Sequence, residues 1–124
     1  MSRVQHRVWE FALVALLLAS TSVFAQQQPG GIAGIVRDTS GAVLPGVTVE
    51  AASPALIEKV RSVSTDGSGQ YQIIDLRPGQ YSVTFTLPGF GAVKREGIEL
   101  AGSFTATVNA ELRVGAVEET VTVS

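Results

Sequence analysis

The chain has 124 residues with 9 basic and 11 acidic side chains, one His and no Cys; 45% of it is hydrophobic and 16% charged. That composition suits one folded domain and not a disordered chain. A formal net charge of −2 lacks the basic excess of a nucleic-acid binder, and without Cys neither a disulfide nor a thiol nucleophile is available.

Residues 1–25 read as a secretory signal peptide. Arg3, His6 and Arg7 form a positive start, Phe11 to Ala19 is unbroken apolar sequence, and Val23-Phe24-Ala25 supplies the residues that signal peptidase inspects. The apolar stretch falls well short of the roughly 20 residues that span a bilayer, so a cleaved leader fits better than an anchor. Cleavage after Ala25 removes the chain's one His (His6), one Trp (Trp9) and one Met (Met1), leaving 99 residues. A mature chain without His or Cys has no Ser-His-Asp triad and no usual nitrogen or sulfur ligand for zinc, copper or iron. The expectation is an exported, non-enzymatic domain with no catalytic, metal or cofactor residues, no transmembrane span, and stability from packing alone.

After a flexible spacer over residues 26–30, hydrophobicity alternates with period two, which marks half-buried strands. The expected strands are Ile32–Arg37, Val47–Ala52, Lys59–Thr65, Tyr71–Leu76, Gln80–Leu87, Val93–Leu100 and Thr105–Leu112. In Tyr81-Ser82-Val83-Thr84-Phe85-Thr86-Leu87 every second residue is apolar and those between carry hydroxyls. Asp38-Thr39-Ser40-Gly41 and Asp66-Gly67-Ser68-Gly69 pair a self-bonding Asp with a Gly that tolerates positive φ, as turns require. Arg77-Pro78-Gly79 reads as a tight hairpin turn, and Leu44-Pro45-Gly46 and Leu87-Pro88-Gly89 are similar breakers. Ala55 to Val60 resembles one helical turn, but it is short, uncapped and follows Pro54. Val117–Ser124 is a possible eighth strand, pairing either within the domain or with another chain. Seven short strands at this spacing indicate an all-β sandwich or barrel.

The inward rows predict a core of Ile32, Val36, Val47, Val49, Tyr71, Ile73, Leu76, Tyr81, Val83, Phe85, Ala106, Val108 and Leu112. Asp38, Asp66 and Asp75 invite a metal or acid–base reading, but Asp38 and Asp66 open Gly-containing turns and read as backbone-bonding residues, and Asp66-Gly67-Ser68-Gly69 supplies too few oxygens in the EF-hand spacing for calcium. Lys94-Arg95 beside Glu96 and Glu99 reads as a solvated strand edge. Phe90, in the Gly-flanked loop Pro88-Gly89-Phe90-Gly91, reads as an aromatic plug for one end of the sandwich. No ligand-binding residue stands out.

Three segments in order resemble the carboxypeptidase regulatory-like domain. They are Gly31-Ile32-Ala33-Gly34-Ile35-Val36-Arg37-Asp38 through Leu44-Pro45-Gly46-Val47-Thr48-Val49, then Thr65-Asp66-Gly67-Ser68-Gly69-Gln70-Tyr71, then Leu76-Arg77-Pro78-Gly79-Gln80-Tyr81-Ser82-Val83. The resemblance covers residues 31–112 and implies a seven-stranded antiparallel Greek-key sandwich of transthyretin-like or immunoglobulin-like type. Domains similar to this are non-catalytic and also stand at the front of TonB-dependent outer-membrane receptors, between the signal peptide and the plug. Residues 113–124 look like the link to such a plug. The resemblance therefore implies an accessory or interaction domain in the periplasm or at the periplasmic face of the outer membrane. The chain is either a stand-alone domain or the front of a receptor, and a protein partner in the cell envelope follows from either. The alternative is a carbohydrate-binding module of the starch-binding-like sandwich type.

N-terminal sequencing of the chain recovered from an exporting host should begin at Gln26. A chain that retains residues 1–25 in the membrane fraction would identify the segment as an anchor.

Overall fold

The structure, a computed structural model, describes residues 29–115 and 119–122; the expected signal peptide over 1–25 lies outside them. The described residues form β1 (Gly30–Asp38), β2 (Thr48–Ala52), β3 (Val60–Ser64), β4 (Gln70–Leu76), β5 (Gly79–Thr86), β6 (Val93–Leu100), β7 (Thr105–Thr107), β8 (Ala110–Leu112) and β9 (Glu119–Thr122). They make two facing sheets. In one, β1 runs between β4 and the pair β7 and β8; the other has the order β3-β2-β5-β6-β9. The all-β sandwich is as the alternation requires, because each strand has one apolar face to bury and the facing sheet is what buries it.

The pairing departs from the expected one in three places. The seventh expected strand is interrupted between β7 and β8. There Val108 N donates to the Ala33 carbonyl at 2.8 Å, and Ile35 N donates to Asn109 Oδ1 at 2.9 Å. A side chain thus replaces one rung of the ladder. Gly34 makes this possible, because a Cβ there would lie 2.0 Å from the Val108 carbonyl oxygen.

The sheets are also mixed and not purely antiparallel. β7 and β8 run parallel to β1, and β9 runs parallel to β6. Both β7 and β9 arrive from the opposite sheet, and a crossover delivers a strand in either sense whereas a short hairpin delivers only the antiparallel one. The tail accordingly pairs within the domain through Glu119–Thr122.

Finally, Arg77-Pro78-Gly79 is not a hairpin turn. It carries the chain from β4 in one sheet to β5 in the other. The reason is occupancy: β2 lies along one side of β5 and β6 along the other, leaving β4 no ladder to join.

Every residue expected inside is buried, from Ile32 and Val36 to Val108 and Leu112. Leu44, Leu56 and Ile98 are buried as well. Leu56 sits in the Pro54–Lys59 loop, where turn bonds from Leu56 N to the Ser53 carbonyl and from Lys59 N to the Leu56 carbonyl, both 3.2 Å, replace the suspected helical turn. Phe85 has no exposed surface and meets Tyr71 edge to face, ring centroids 5.6 Å apart at 73°.

Replacing Phe85 by Ala should lower unfolding free energy by about 3–5 kcal/mol, since the rigid sheets cannot close around the void. Ile57→Ala, at a side chain 78% exposed, should shift the same urea melt far less. Equal small losses at both positions would contradict the assigned core.

Candidate functional site

The aspartates that invite a chemical reading are turn residues. Asp38 Oδ1 accepts from Ser40 N at 2.9 Å, Ser40 Oγ at 2.6 Å and Ala42 N at 3.1 Å. Asp66 Oδ1 accepts from Ser68 N at 2.9 Å and Gln70 N at 3.0 Å. Both carboxylates therefore hold the loops that end β1 and begin β4. The Ser40 hydroxyl, helped by the backbone donors, holds Asp38 below the usual carboxylate range against a smaller opposing effect of desolvation. Asp75 is exposed near the end of β4 with φ 58°. Among the described residues, no three His, Cys, Asp or Glu side chains group as a metal site.

Thr65 contributes what the turn motifs alone do not reveal. It is buried, its hydroxyl donates to the Leu44 carbonyl at 2.6 Å, and it accepts from Val47 N at 2.9 Å. One side chain so fixes both ends of the Leu44-Pro45-Gly46-Val47 turn. The visible signal is its position at the head of Thr65-Asp66-Gly67-Ser68-Gly69. Arg61 acts across the two sheets: from β3 its Nη1 donates to the carbonyls of Ile74 and Asp75 on β4 at 2.7 and 3.0 Å. Its Nη2 meets Glu58 Oε1 at 2.6 Å.

The aromatic residues of the strands and the Gly-flanked loop are structural, whereas Phe104 is exposed. Tyr71, Tyr81 and Phe85 are buried, and Phe90 is half-buried against the core and bridged to Val114, in keeping with a plug. Tyr71 donates to the Val108 carbonyl, and burial pushes its phenol well above the ordinary range. Tyr81 donates to the Arg77 carbonyl at 2.6 Å.

The basic pair is not on a sheet edge. β6 lies between β5 and β9, so Lys94 and Arg95 occupy an interior strand. Lys94 Nζ pairs with Glu96 Oε1 at 3.3 Å. Arg95 pairs in register with the fully buried Val83, which turns it toward the inside of the sandwich. The charge run suggested a solvated strand edge; within an interior strand, alternation along β6 instead sends Lys94 and Arg95 to opposite faces.

A groove of about 640 Å³ lies over the four-stranded sheet. Ala33, Gly34 and Ile35 of β1 form part of its wall, with Gln70 and Gln72 from β4 and Asn109 from the β7–β8 gap. Ser64 and Asp66 border it too, so side-chain amides, hydroxyls and one carboxylate can exchange hydrogen bonds with a polar ligand there.

Residues 31–113 match the family model for the carboxypeptidase regulatory-like domain. The chain belongs to that family. It is also 36% identical over 110 residues to the TonB-dependent transporter Oar of Myxococcus xanthus, covering 88% of this chain and 10% of that protein. The chain thus spans about a tenth of that relative's length. Among solved structures, the Bacillus anthracis TIE protein is similar with a TM-score of 0.57 and 20% identity, covering 70% of this chain and 17% of that one. The 3-chlorocatechol 1,2-dioxygenase of Rhodococcus opacus 1CP has a TM-score of 0.55 at 12% identity, covering 73% and 61%. These two likenesses show the fold alone. Among the described residues no helix is long and apolar enough to cross a membrane.

Asp38 titrates below its ordinary value of 3.8 in the folded chain. Its stabilising contribution is therefore fully present above that ordinary value and is lost as pH falls through the lower folded one. Ser40→Ala removes the principal cause, so urea melts between pH 5 and pH 2 should show a shallower acid loss than in the parent chain. Identical pH profiles would contradict the assignment.

Proposed function

We propose that this chain is an exported, non-catalytic accessory domain of the cell envelope, acting with a TonB-dependent outer-membrane receptor or forming the front of one. The observation that carries the reading is the 36% identity to a TonB-dependent transporter across 88% of this chain, together with membership of a regulatory-like family. The chemistry agrees, since the residues left after Ala25 include no His or Cys and the Asp residues at the turns are committed to backbone donors. A sandwich stiffened by Thr65 and Arg61 presents a fixed surface to a partner, which preserves affinity by avoiding an ordering cost on binding. β9, stitched to β6 by four register pairs, joins the tail to the sheet so that whatever follows the tail inherits that fixed orientation.

The groove over the four-stranded sheet favours a second reading, carbohydrate binding. Gln70, Gln72, Thr107 and Asn109 line it together with Asp66, and amides, a hydroxyl and a carboxylate match the donor–acceptor pattern of sugar hydroxyls.

Cell fractionation probed with antibody to residues 26–124 should give a band with the outer membrane or periplasm. A larger band in the outer membrane would define the chain as the front of a receptor, and a band below 13.0 kDa in the periplasm a separate domain. A cytoplasmic band would overturn the reading. Calorimetric titration with α-glucans and peptidoglycan fragments separates the second reading, which silence toward both ligands would remove.

A further inference from the structure

A second cavity lies between the sheets, on the side where β6 faces the gap between β7 and β8. It holds about 450 Å³, and its wall includes Arg95, Ile98 and Glu99 from β6 together with Ala106, Val108 and Asn109 from the facing sheet. We propose that this cavity is a carboxylate-binding site with the Arg95 guanidinium as its anchor.

Three independent features of the chain converge there. The first is placement. Val93, Arg95 and Ile98 pair with Phe85, Val83 and Tyr81, all buried, so Arg95 interrupts an otherwise apolar inward row. An arginine in such a row is expensive unless its donors are used. The second is the bulge. Between Arg95↔Val83 and Ile98↔Tyr81 the β6 strand carries one extra residue, with Gly97 at φ 76°. Bulges bend a strand and re-aim its side chains, and this one allows Arg95 and Ile98 both to face inward. The third is the unused donor. Arg95 Nε is shut off from solvent and has no hydrogen-bond acceptor among the described residues, and no carboxylate among them forms an ion pair with this guanidinium.

The rest of the cavity specifies the ligand. Asn109 Oδ1 is committed to Ile35 N at 2.9 Å, so the part of that amide left for a ligand is its NH₂. With the Thr107 hydroxyl, which also lines the cavity, the site is rich in donors around one planar cation. Guanidinium Nε and Nη present two parallel N–H bonds that match the two oxygens of a carboxylate. A phosphate dianion fits less well, because one cation faces it and Glu99 stands on the wall. Ile98, Ala106 and Val108 suit an aliphatic continuation of the ligand. The chain's own tail is the competing source of a carboxylate, because β9 places Glu119 in register with Val93 beside β6.

The test follows the Arg95 Nε–Hε resonance of the ¹⁵N-labelled chain, identified by its loss in Arg95→Lys, during titration with sodium acetate. Sodium chloride and sodium phosphate at matched ionic strength are the controls. The expected result is a saturable downfield shift with acetate in the millimolar range, as befits one charge-assisted contact, with no response to chloride. Absence of any acetate shift overturns the proposal, as does an equal response to phosphate. A resonance already far downfield without added anion, and returned upfield by Glu118→Gln or Glu119→Gln, assigns the guanidinium to the tail and overturns it too. Backbone spectra of Arg95→Lys that overlay on those of the parent chain separate loss of the site from loss of the fold.

Discussion

The edge-to-face contact of Tyr71 with Phe85 is where the two sheets close on one another. Phe85 lies on β5, flanked by β2 and β6, and Tyr71 on β4 at the margin of the facing sheet. Tyr71 also pairs in register with Gly34 and sends its hydroxyl to the Val108 carbonyl. Its hydroxyl so meets the carbonyl that takes the room left by the missing Gly34 side chain. A satisfied hydroxyl avoids the desolvation penalty of burial. With no disulfide available, this contact and the apolar rows around it carry the cohesion of a domain near the small end of the stable range.

Local sequence revealed what local physics decides. Alternation along Tyr81 to Phe85 fixed which face is buried, and the Asp38 and Asp66 turns form because the carboxylates bond the backbone two and four residues on. Non-local pairing was hidden. Arg77-Pro78-Gly79 has the same local chemistry whether the next strand joins the same ladder or the opposite sheet, and only the occupancy of β5 by β2 and β6 decides. The gap at Val108-Asn109 was equally invisible, because Ala106, Val108, Ala110 and Leu112 keep an unbroken inward alternation across it. Leu56 was missed because a loop residue has no periodic neighbours to mark its side.

Of the candidate site, the turn aspartates were legible and Arg95 was not. Between Lys94 and Glu96 it has the composition of a wet edge, yet register with Val83 places it inside. The one local hint is Gly97, since an isolated Gly in a strand pattern signals a bulge. A bulge alone does not say which way the flanking charges turn; that depends on the partner strand.

Several departures from regular geometry gather in one place, apart from the register shift between Gly30 and Ile32 where β1 meets β4. Gly34, the β7–β8 interruption, the amide of Asn109 and the Gly97 bulge lie around one region, and the outer groove and the inner cavity share Thr107 and Asn109 as walls. Regular pairing resumes on the far side, where β2 meets β3 and β5 without a shift of register. A chain that needed only to be stable would gain by extending the β7–β8 ladder and filling the Arg95 position with an aliphatic residue. The less stable arrangement therefore stands on both sides of one gap, where the local rules of pairing and packing yield. The groove and the cavity share one wall. Asn109 reaches the backbone of β1 through its Oδ1 and borders both spaces, so the rung that closes the β7–β8 gap also sets the wall between them.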